Sequence, residues 1–287
     1  MSSFLITGGD GQLGHCFRNV AVEFPNHHLI FANRQEVDLA CPETLQDFFD
    51  TNPFSGIINC AAYTQVDRAE EESEKAHQIN SEGVQNLVTF AKENELSLVH
   101  FSTDYVFDGT ASVPYQETDN CDPINAYGQS KYEGEQRLTK AKCLQTTFRI
   151  SWLFSPFGTN FVKSILRFSK IKKQLNVVDD QWGRPTYGVD LARTVLTYID
   201  QPTFFDYSCY HFAHGGATNW FYFAQKIVGL TKSPCKLLPC STADYPTAAK
   251  RPLYAVLDTT RIENHLSLQL LSWEVALEDC IKRIEAR

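Results

Sequence analysis

A tyrosine and a lysine, Tyr127 and Lys131, stand four residues apart in the segment NAYGQSKYEGEQRL, which has the pattern of a helix. Residues at this spacing share one face of a helix. An ammonium group beside a phenol favours the phenolate, so we expect the pKa of Tyr127 to lie below its usual value of about 10. Such a phenol can donate and accept a proton near neutral pH, as a general acid does. Taken alone, the pair also fits an exposed helical surface.

A hydroxyl that could work with this pair follows a buried strand. The apolar run Leu96 to Phe101 ends in Ser102-Thr103-Asp104. The carboxyl ends of strands in doubly wound folds face the ligand crevice, so a hydroxyl there could hydrogen-bond a substrate carbonyl. We therefore predict Thr103, Tyr127 and Lys131 as the catalytic residues.

A glycine-rich turn, TGGDGQLG from Thr7 to Gly14, follows the apolar start of the chain. Glycine at this spacing allows a sharp turn, a close approach of the backbone to a pyrophosphate and close packing of helix on strand. The N–H groups at the start of the next helix would then bind the anion. A simple strand-to-helix turn would also contain glycine. The cofactor-binding residues predicted here are Gly8, Gly11, Gln12, Leu13 and Gly14.

Strand and helix patterns alternate over the first half of the chain. Apolar runs occur at 4–7, 28–32, 56–60, 96–101 and 143–150, and a helical pattern covers 74–92 between two of them. This order predicts an α/β fold of Rossmann type, with a doubly wound parallel sheet and helices on both faces. We assign 1–150 to a dinucleotide-binding domain to which 175–200 returns. We assign 151–174 and 201–287 to a smaller, mixed α/β lobe that binds substrate.

The composition narrows the class of protein. The 287 residues carry a net charge of −8 without a long basic run, which argues against nucleic-acid binding. Apolar runs are too short to span a membrane, and no signal peptide is visible. The nine scattered cysteines, without metal-ligand spacing, indicate a reducing compartment and no metal site. We therefore expect a cytoplasmic protein, and we interpret the acidic stretch Asp67 to Glu74 as a solvated helix start.

The end of the second strand bears on the choice of cofactor. NAD-selective folds place an acidic residue there to bond the ribose 2′-hydroxyl. This chain has Asn33-Arg34 instead, and Arg34 could pair with a 2′-phosphate. We expect NADP(H), with NAD(H) also used, although Arg34 could also be a solvated loop residue.

Four segments in order, TGGDGQLG, NCAAYTQVDRAE, FSTDYVFDG and YGQSKYEGE, resemble the extended short-chain dehydrogenase/reductase family. Further segments are similar to its dTDP-4-dehydrorhamnose reductase branch: FRISWLF, NFVKSIL, VVDDQWGRPT and RPLYAVLD. The last of these departs from the branch, because Tyr254-Ala255 stands where Ser or Asn is common.

The resemblance implies a reaction and a role for each matched residue. NADPH would deliver hydride to C4 of a 4-keto-6-deoxy sugar, Thr103 would hold the carbonyl oxygen, and Tyr127 would protonate it. Lys131 would lower the pKa of that tyrosine and bind the nicotinamide ribose. The remaining expected contacts are Asp38 and Leu39 near the adenine; Ala61, Ala62 and Tyr63 near the nicotinamide ribose; Asp104, Tyr105 and Trp152 around the sugar; and Asn160 and Arg251 at the nucleotide. The partner is thus a nucleotide sugar, and a homodimer is allowed.

Two other functions remain open from the sequence. One is a reductase or epimerase of a UDP- or GDP-linked keto sugar, although an epimerase needs a second acid/base pair and the strand end holds Ser-Thr-Asp without a cysteine. The other is a non-catalytic NADP-binding regulatory subunit similar to that of methionine adenosyltransferase, which shares this fold.

Overall fold

The computed structural model describes residues 2–141 and 143–286. Its main sheet has six parallel strands in the spatial order β10-β5-β4-β3-β1-β2. These strands are β1 (Ser2–Thr7), β2 (His27–Phe31), β3 (Gly56–Asn59), β4 (Ser97–Thr103), β5 (Gln145–Ile150) and β10 (Cys209–Phe212). The predicted α/β fold with a doubly wound parallel sheet is confirmed.

Helices lie on both faces of the main sheet and in the second lobe. In chain order, the helices are α1 (Gln12–Val20), α2 (Pro42–Thr51), α3 (Ser73–His77), α4 (Gly83–Glu93), α5 (Ala126–Lys140), α6 (Phe161–Ile171), α7 (Gly188–Tyr198), α8 (Trp220–Leu230), α9 (Thr260–His265) and α10 (Trp273–Glu285). A π-helical segment, Gln78–Glu82, lies between α3 and α4, within the stretch where the sequence predicted one continuous helix. Among the described residues, no helix is long and apolar enough to cross a membrane.

The first strand shows why both faces must be covered. Phe4 and Ile6 belong to one hydrophobic cluster, whereas Leu5 belongs to another on the opposite face of the sheet. Side chains of a strand alternate between faces, so an apolar run buried on both sides is typical of a parallel sheet between helices. Helices α1 and α7 pack together on the first face. Helix α4 lies on the second, where Leu87 and Val88 are buried.

Short strands outside the main sheet build the second lobe. They pair as β7 (Gln174–Val178) with β12 (Lys236–Cys240), β8 (Trp182–Gly183) with β11 (Thr218–Asn219), and β6 (Leu153–Phe154) with β9 (Thr186–Tyr187). The structure differs from the expected division of the chain in two places. Strand β10 comes from 201–287 but joins the main sheet, and β7 comes from 175–200 but lies outside it.

Candidate active site

The glycine turn opens the first helix toward the carboxyl edge of the sheet. Gly8 has φ of +62°, a left-handed conformation, and a Cβ there would lie 2.8 Å from the backbone of Ala61. A Cβ on Gly14 would lie 2.5 Å from the carbonyl oxygen of Gly8, so helix and turn pack backbone to backbone. Gly11 caps α1 without a side-chain hydrogen bond. The first N–H groups of α1 are therefore available to an anion.

Thr103 stands at the carboxyl end of β4, as predicted from the sequence. Its side chain is buried, and its hydroxyl donates to Asp104 Oδ1 at 3.0 Å while accepting from the N–H of Tyr105 at 3.2 Å. It lies close enough to the phenol of Tyr127 to lower the pKa of that group. A hydroxyl has one proton, so Thr103 can donate to Asp104 or to a group in the cavity, but not to both.

Tyr127 is partly buried on the first turn of α5, with its ring edge-on to that of Tyr105 at 6.0 Å. The prediction that Lys131 would lower its pKa is wrong for this structure. Desolvation of the phenol raises the pKa of Tyr127 well above 10, and the nearby Thr103 hydroxyl offsets only part of that effect. Tyr127 therefore keeps its proton at neutral pH.

Lys131 is almost fully buried one turn further along α5. Its Nζ donates to the carbonyl oxygen of Phe101 at 2.6 Å and lies 3.2 Å from His100 Nε2. These contacts to β4, rather than one to Tyr127, hold the amine. Burial lowers the pKa of Lys131 to about 8, against a smaller opposing effect of Glu135.

An N-cap and an ion pair to the sheet fix the position of α5. At its start, Asn125 Oδ1 accepts from the N–H of Gly128 at 2.7 Å, a side-chain N-cap. Near its middle, the guanidinium of Arg149 on β5 donates from Nη2 at 2.7 Å to the carboxylate of Glu135. Both side chains of this ion pair are only 7% exposed, so the partners must stay together to avoid an unpaired buried charge. The helix that carries Tyr127 and Lys131 is thus fixed at its start and near its middle, on either side of these two residues.

Asp104 is a buried carboxyl group beside Thr103. It is 2% exposed, and its Oδ2 has no hydrogen-bond partner among the described residues. Desolvation raises the pKa of Asp104 to about 7, although the Thr103 hydroxyl lowers it somewhat. A buried carboxylate with an unpaired oxygen is costly, so this group is mainly a carboxylic acid below about pH 7.

Replacement of this acid should stabilise the protein in a pH-dependent way. Between the unfolded pKa near 3.8 and the folded pKa near 7, the folded chain holds a proton that the unfolded chain has lost. Stability therefore falls as the pH rises through this interval. Asp104→Asn should raise the free energy of unfolding by up to about 4 kcal/mol at pH 8 and by clearly less at pH 5. Urea unfolding at both pH values measures this, and an equal gain at both would contradict the buried-acid assignment.

The three predicted catalytic residues line one cavity of about 430 Å³. The start of α1 forms one wall through Gly11, Gln12 and Leu13, and the segment after β3 forms another through Ala61 and Ala62. Asp104, Tyr105, Trp152 and Asn160 complete its lining. The cavity therefore combines a helix N-terminus for an anion with a phenol, a hydroxyl and an amine.

A larger cavity of about 840 Å³ adjoins the first, and Tyr105 and Trp220 line both. Trp152 stacks on Trp220 at 3.6 Å between ring centroids, and its backbone has a left-handed φ of 48°. Such a φ in a bulky residue is strained and is typical of functional sites. Trp220 was not predicted from the sequence as a site residue. Its aromatic character at the start of an apolar helix was the only sign of such a role, and core packing also explains it.

Arg251 lies in the larger cavity and forms an ion pair with Asp67, with Nη2 2.7 Å from Oδ2. Asp67 does stand at a helix start with its side chain 46% exposed, but the sequence did not predict this ion pair. This ion pair lowers the pKa of Asp67 and orients the guanidinium toward Tyr105, with which Arg251 also hydrogen-bonds.

Several predicted contacts lie outside the two cavities. Arg34 is exposed and bonds Asp38 at 3.3 Å from Nε to Oδ2. Leu39 is buried in the core, and the hydroxyl of Tyr63 donates to Glu72 at 3.0 Å. Asn160 does line the smaller cavity, but its side chain caps α6 and bonds the Ser155 and Phe157 carbonyl oxygens. Within the described residues, no group of three or more His, Cys, Asp and Glu side chains is arranged to hold a metal ion.

Comparisons with known proteins agree with this geometry. The family model described as the RmlD substrate binding domain matches residues 1–286. A dTDP-4-dehydrorhamnose reductase of Aggregatibacter actinomycetemcomitans is 36% identical over 97% of this chain and 98% of its own. The chain belongs to the dTDP-4-dehydrorhamnose reductase family.

Solved structures of this family superpose closely on the chain. The dTDP-4-dehydrorhamnose reductase of Clostridium acetobutylicum has a TM-score of 0.93 at 36% identity and covers 99% of each chain. The enzyme of Bacillus anthracis, in complex with NADP, has a TM-score of 0.93 at 35% identity, over 99% of this chain and all of its own. The resemblance of the sequence motifs to the dTDP-4-dehydrorhamnose reductase family is thus confirmed over almost the whole chain.

Proposed function

We propose that this protein reduces the C4 keto group of dTDP-4-dehydro-6-deoxy-L-mannose (dTDP-4-dehydrorhamnose) with NADPH, giving dTDP-L-rhamnose, with Tyr127 as the general acid. The observation that carries the proposal is the convergence of Thr103, Tyr127 and Lys131 on a cavity that the N-terminus of α1 also lines. Family membership supports the substrate, and the NADP complex of the Bacillus anthracis relative supports the cofactor.

The residues present fit a dinucleotide. Gly8, Gly9 and Gly11 let the backbone of the turn approach a pyrophosphate, and the uncapped N–H groups at the start of α1 suit its charge. Lys131 and the Ala61-Ala62 backbone border the same cavity, where a nicotinamide ribose would need hydrogen-bond partners. When bound, NADPH supplies the hydride.

The side chains of the cavity supply the proton. As negative charge develops on the substrate's carbonyl oxygen, the Thr103 hydroxyl can turn from Asp104 to donate to that oxygen. Tyr127 then transfers its phenolic proton to the same oxygen. Because the pKa of Tyr127 is raised, the phenol is fully protonated and holds the proton before transfer. Trp152 and Tyr105 would enclose the sugar and exclude water.

The larger cavity suits the nucleotide part of the substrate. Its volume of about 840 Å³ lies in the range of ordinary ligand sites, and it opens beside Tyr105 at the end of the catalytic cavity. Arg251 would pair with the diphosphate, since a planar guanidinium binds two phosphate oxygens at once. Trp220 and Phe161, 4.5 Å apart between ring centroids, offer apolar surface on one wall.

Arg34 should set the preference between cofactors. It follows the second strand, and its side chain is 64% exposed, so its guanidinium can meet a 2′-phosphate beside its ion pair with Asp38. Arg34→Ala should weaken NADPH binding at least about tenfold and leave NADH binding nearly unchanged, since only NADPH has the additional charge. Dissociation constants for both cofactors measure this, with NADH as the internal control. Equal losses would place the selectivity elsewhere.

A substrate panel tests the proposed activity. The purified chain is supplied with NADPH and with dTDP-, UDP- or GDP-linked 4-keto-6-deoxy sugars, and NADPH oxidation is followed. The dTDP sugar should be reduced with the highest kcat/KM. Preference for a UDP or GDP sugar would contradict the proposed nucleotide.

The homodimer stays a prediction, and sedimentation of the purified chain measures it.

A further inference from the structure

A continuous chain of buried polar side chains connects the glycine turn to Lys131. The Thr7 hydroxyl donates to Asn59 Oδ1 at 2.6 Å, and Asn59 Nδ2 lies 2.9 Å from His100 Nδ1. His100 Nε2 in turn lies 3.2 Å from Lys131 Nζ. All four side chains are at most 2% exposed, so water has little access to these contacts. Each contact must therefore pair a donor with an acceptor.

The backbone fixes the orientation of Asn59. The N–H of Ala61 points at Asn59 Oδ1 from 3.1 Å. A backbone N–H can only donate, so the atom that faces it must be the amide oxygen. The Thr7 hydroxyl donates to the same oxygen. The amide nitrogen of Asn59, which is also only a donor, must then face His100.

This orientation selects one form of His100. Because Asn59 Nδ2 donates to Nδ1, that ring nitrogen must be unprotonated and accept. The neutral ring therefore has its proton on Nε2, directed at Lys131. In the doubly protonated ring, the proton on Nδ1 would face the Nδ2 donor of Asn59. Burial also disfavours that form, because it lowers the pKa of His100 well below its ordinary value.

Only a neutral Lys131 can accept the proton that His100 presents. An ammonium group has three donors and no acceptor, whereas a neutral amine has a lone pair. A neutral Lys131 can donate to the carbonyl oxygen of Phe101 and accept from His100 Nε2 at once. The other charged groups near the amine, Glu135 and Arg149, pair with each other.

We propose that His100 is a positioning residue that donates a hydrogen bond from Nε2 to Lys131 and thereby favours the neutral form of this amine over the ammonium. Asn59 sets the required histidine tautomer, so the turn that surrounds the dinucleotide site also determines the protonation of the lysine. A neutral amine in this place can accept a proton, whereas an ammonium would need to lose one first. The importance of that amine for turnover rests on the proposed function, but its protonation does not.

The tautomer of His100 tests the first step without substrate or cofactor. In the ¹⁵N-labelled full chain, two-bond ¹H–¹⁵N correlations of the ring, assigned through its own backbone, distinguish a protonated from an unprotonated nitrogen. We expect protonated Nε2 and unprotonated Nδ1 at pH 9, above the expected midpoint of Lys131. A proton on Nδ1 at this pH would overturn the proposal.

The titration of Lys131 tests the second step. The ¹³Cε signal, assigned by its loss in Lys131→Arg, should titrate with a midpoint near the pKa of about 8 in the unliganded protein. In His100→Phe the neutral amine loses a donor without any change of charge, so the midpoint should rise by about one pH unit, a tenfold change. If His100 instead accepted from an ammonium, the same substitution would lower the midpoint.

A nearby substitution provides the matched control. Ser102 is buried on the same strand, and its hydroxyl has no hydrogen-bond partner among the described residues. Ser102→Ala should leave the Lys131 midpoint unchanged. A fall or no change in His100→Phe, or an equal rise in Ser102→Ala, would overturn the proposal. If His100→Phe does not fold, the tautomer measured in the unmodified chain still decides it.

Discussion

Tyr127→Phe should lower kcat by about a hundredfold or more and leave NADPH affinity nearly unchanged. The substitution removes the phenolic proton donor and keeps the ring that packs against Tyr105. Positioned proton transfer of this kind contributes about 10²–10⁴-fold to rate. Steady-state kinetics with a dTDP-4-keto-6-deoxy sugar, together with a binding titration of NADPH, measure both effects.

Tyr132→Phe is the matched control for this prediction. Tyr132 lies on the same helix and packs in a separate cluster with Phe107 and Tyr115, away from the cavity lining. Its loss of a hydroxyl should leave kcat unchanged. Full turnover in Tyr127→Phe, or an equal loss in both variants, would remove Tyr127 from the role of acid.

Lys131→Met should impair both cofactor binding and turnover. The amine lines the cavity beside Ala61 and Ala62 and lies one helical turn from Tyr127, so we expect it to bind the ribose and to support proton transfer. NADPH should bind about tenfold more weakly, and kcat should fall about a hundredfold. Methionine has similar length and no charge, so it fills the same space, while the Phe101 carbonyl oxygen and His100 Nε2 lose a hydrogen-bond partner.

Two measurements separate the roles assigned to Lys131. The dissociation constant of NADPH reports the first role, and kcat at saturating cofactor reports the second. Lys140→Met, at the exposed end of the same helix, serves as the control and should change neither. A change in only one of the two quantities would show that one of the roles is wrong.

The features that were predictable from the sequence depend on local pattern. The turn at Gly8 to Gly14, the strand ending in Thr103 and the Tyr127–Lys131 pair each follow from residue types at fixed spacing. The carboxyl ends of parallel strands meet at one edge, so their convergence also follows. The break of the helical stretch at Gln78–Glu82 was not predicted, because the buried side chains of that segment, Asn80 and Ser81, are polar and hydrophobic periodicity does not report on them.

Long-range features were not predictable in the same way. Strand β10, Cys209–Phe212, is four residues long and is defined by its pairing with β5, not by its own pattern. The ion pair of Asp67 with Arg251 joins residues far apart in the chain. The pKa of Tyr127 was predicted in the wrong direction because helical spacing gives the proximity of Lys131 but not the burial of the phenol, which is the larger effect.

Transfer of a labelled hydride tests the central claim most directly. The purified chain is incubated with a dTDP-4-keto-6-deoxy sugar and NADPH that carries deuterium at both C4 positions, and the product is weighed by mass spectrometry. Reduction of the ketone adds one deuteride and one proton, so the sugar should gain three mass units, or two with unlabelled NADPH. Tight binding of NADPH with no mass gain on the dTDP sugar or its UDP and GDP counterparts would contradict the enzymatic account and favour a regulatory, cofactor-binding subunit.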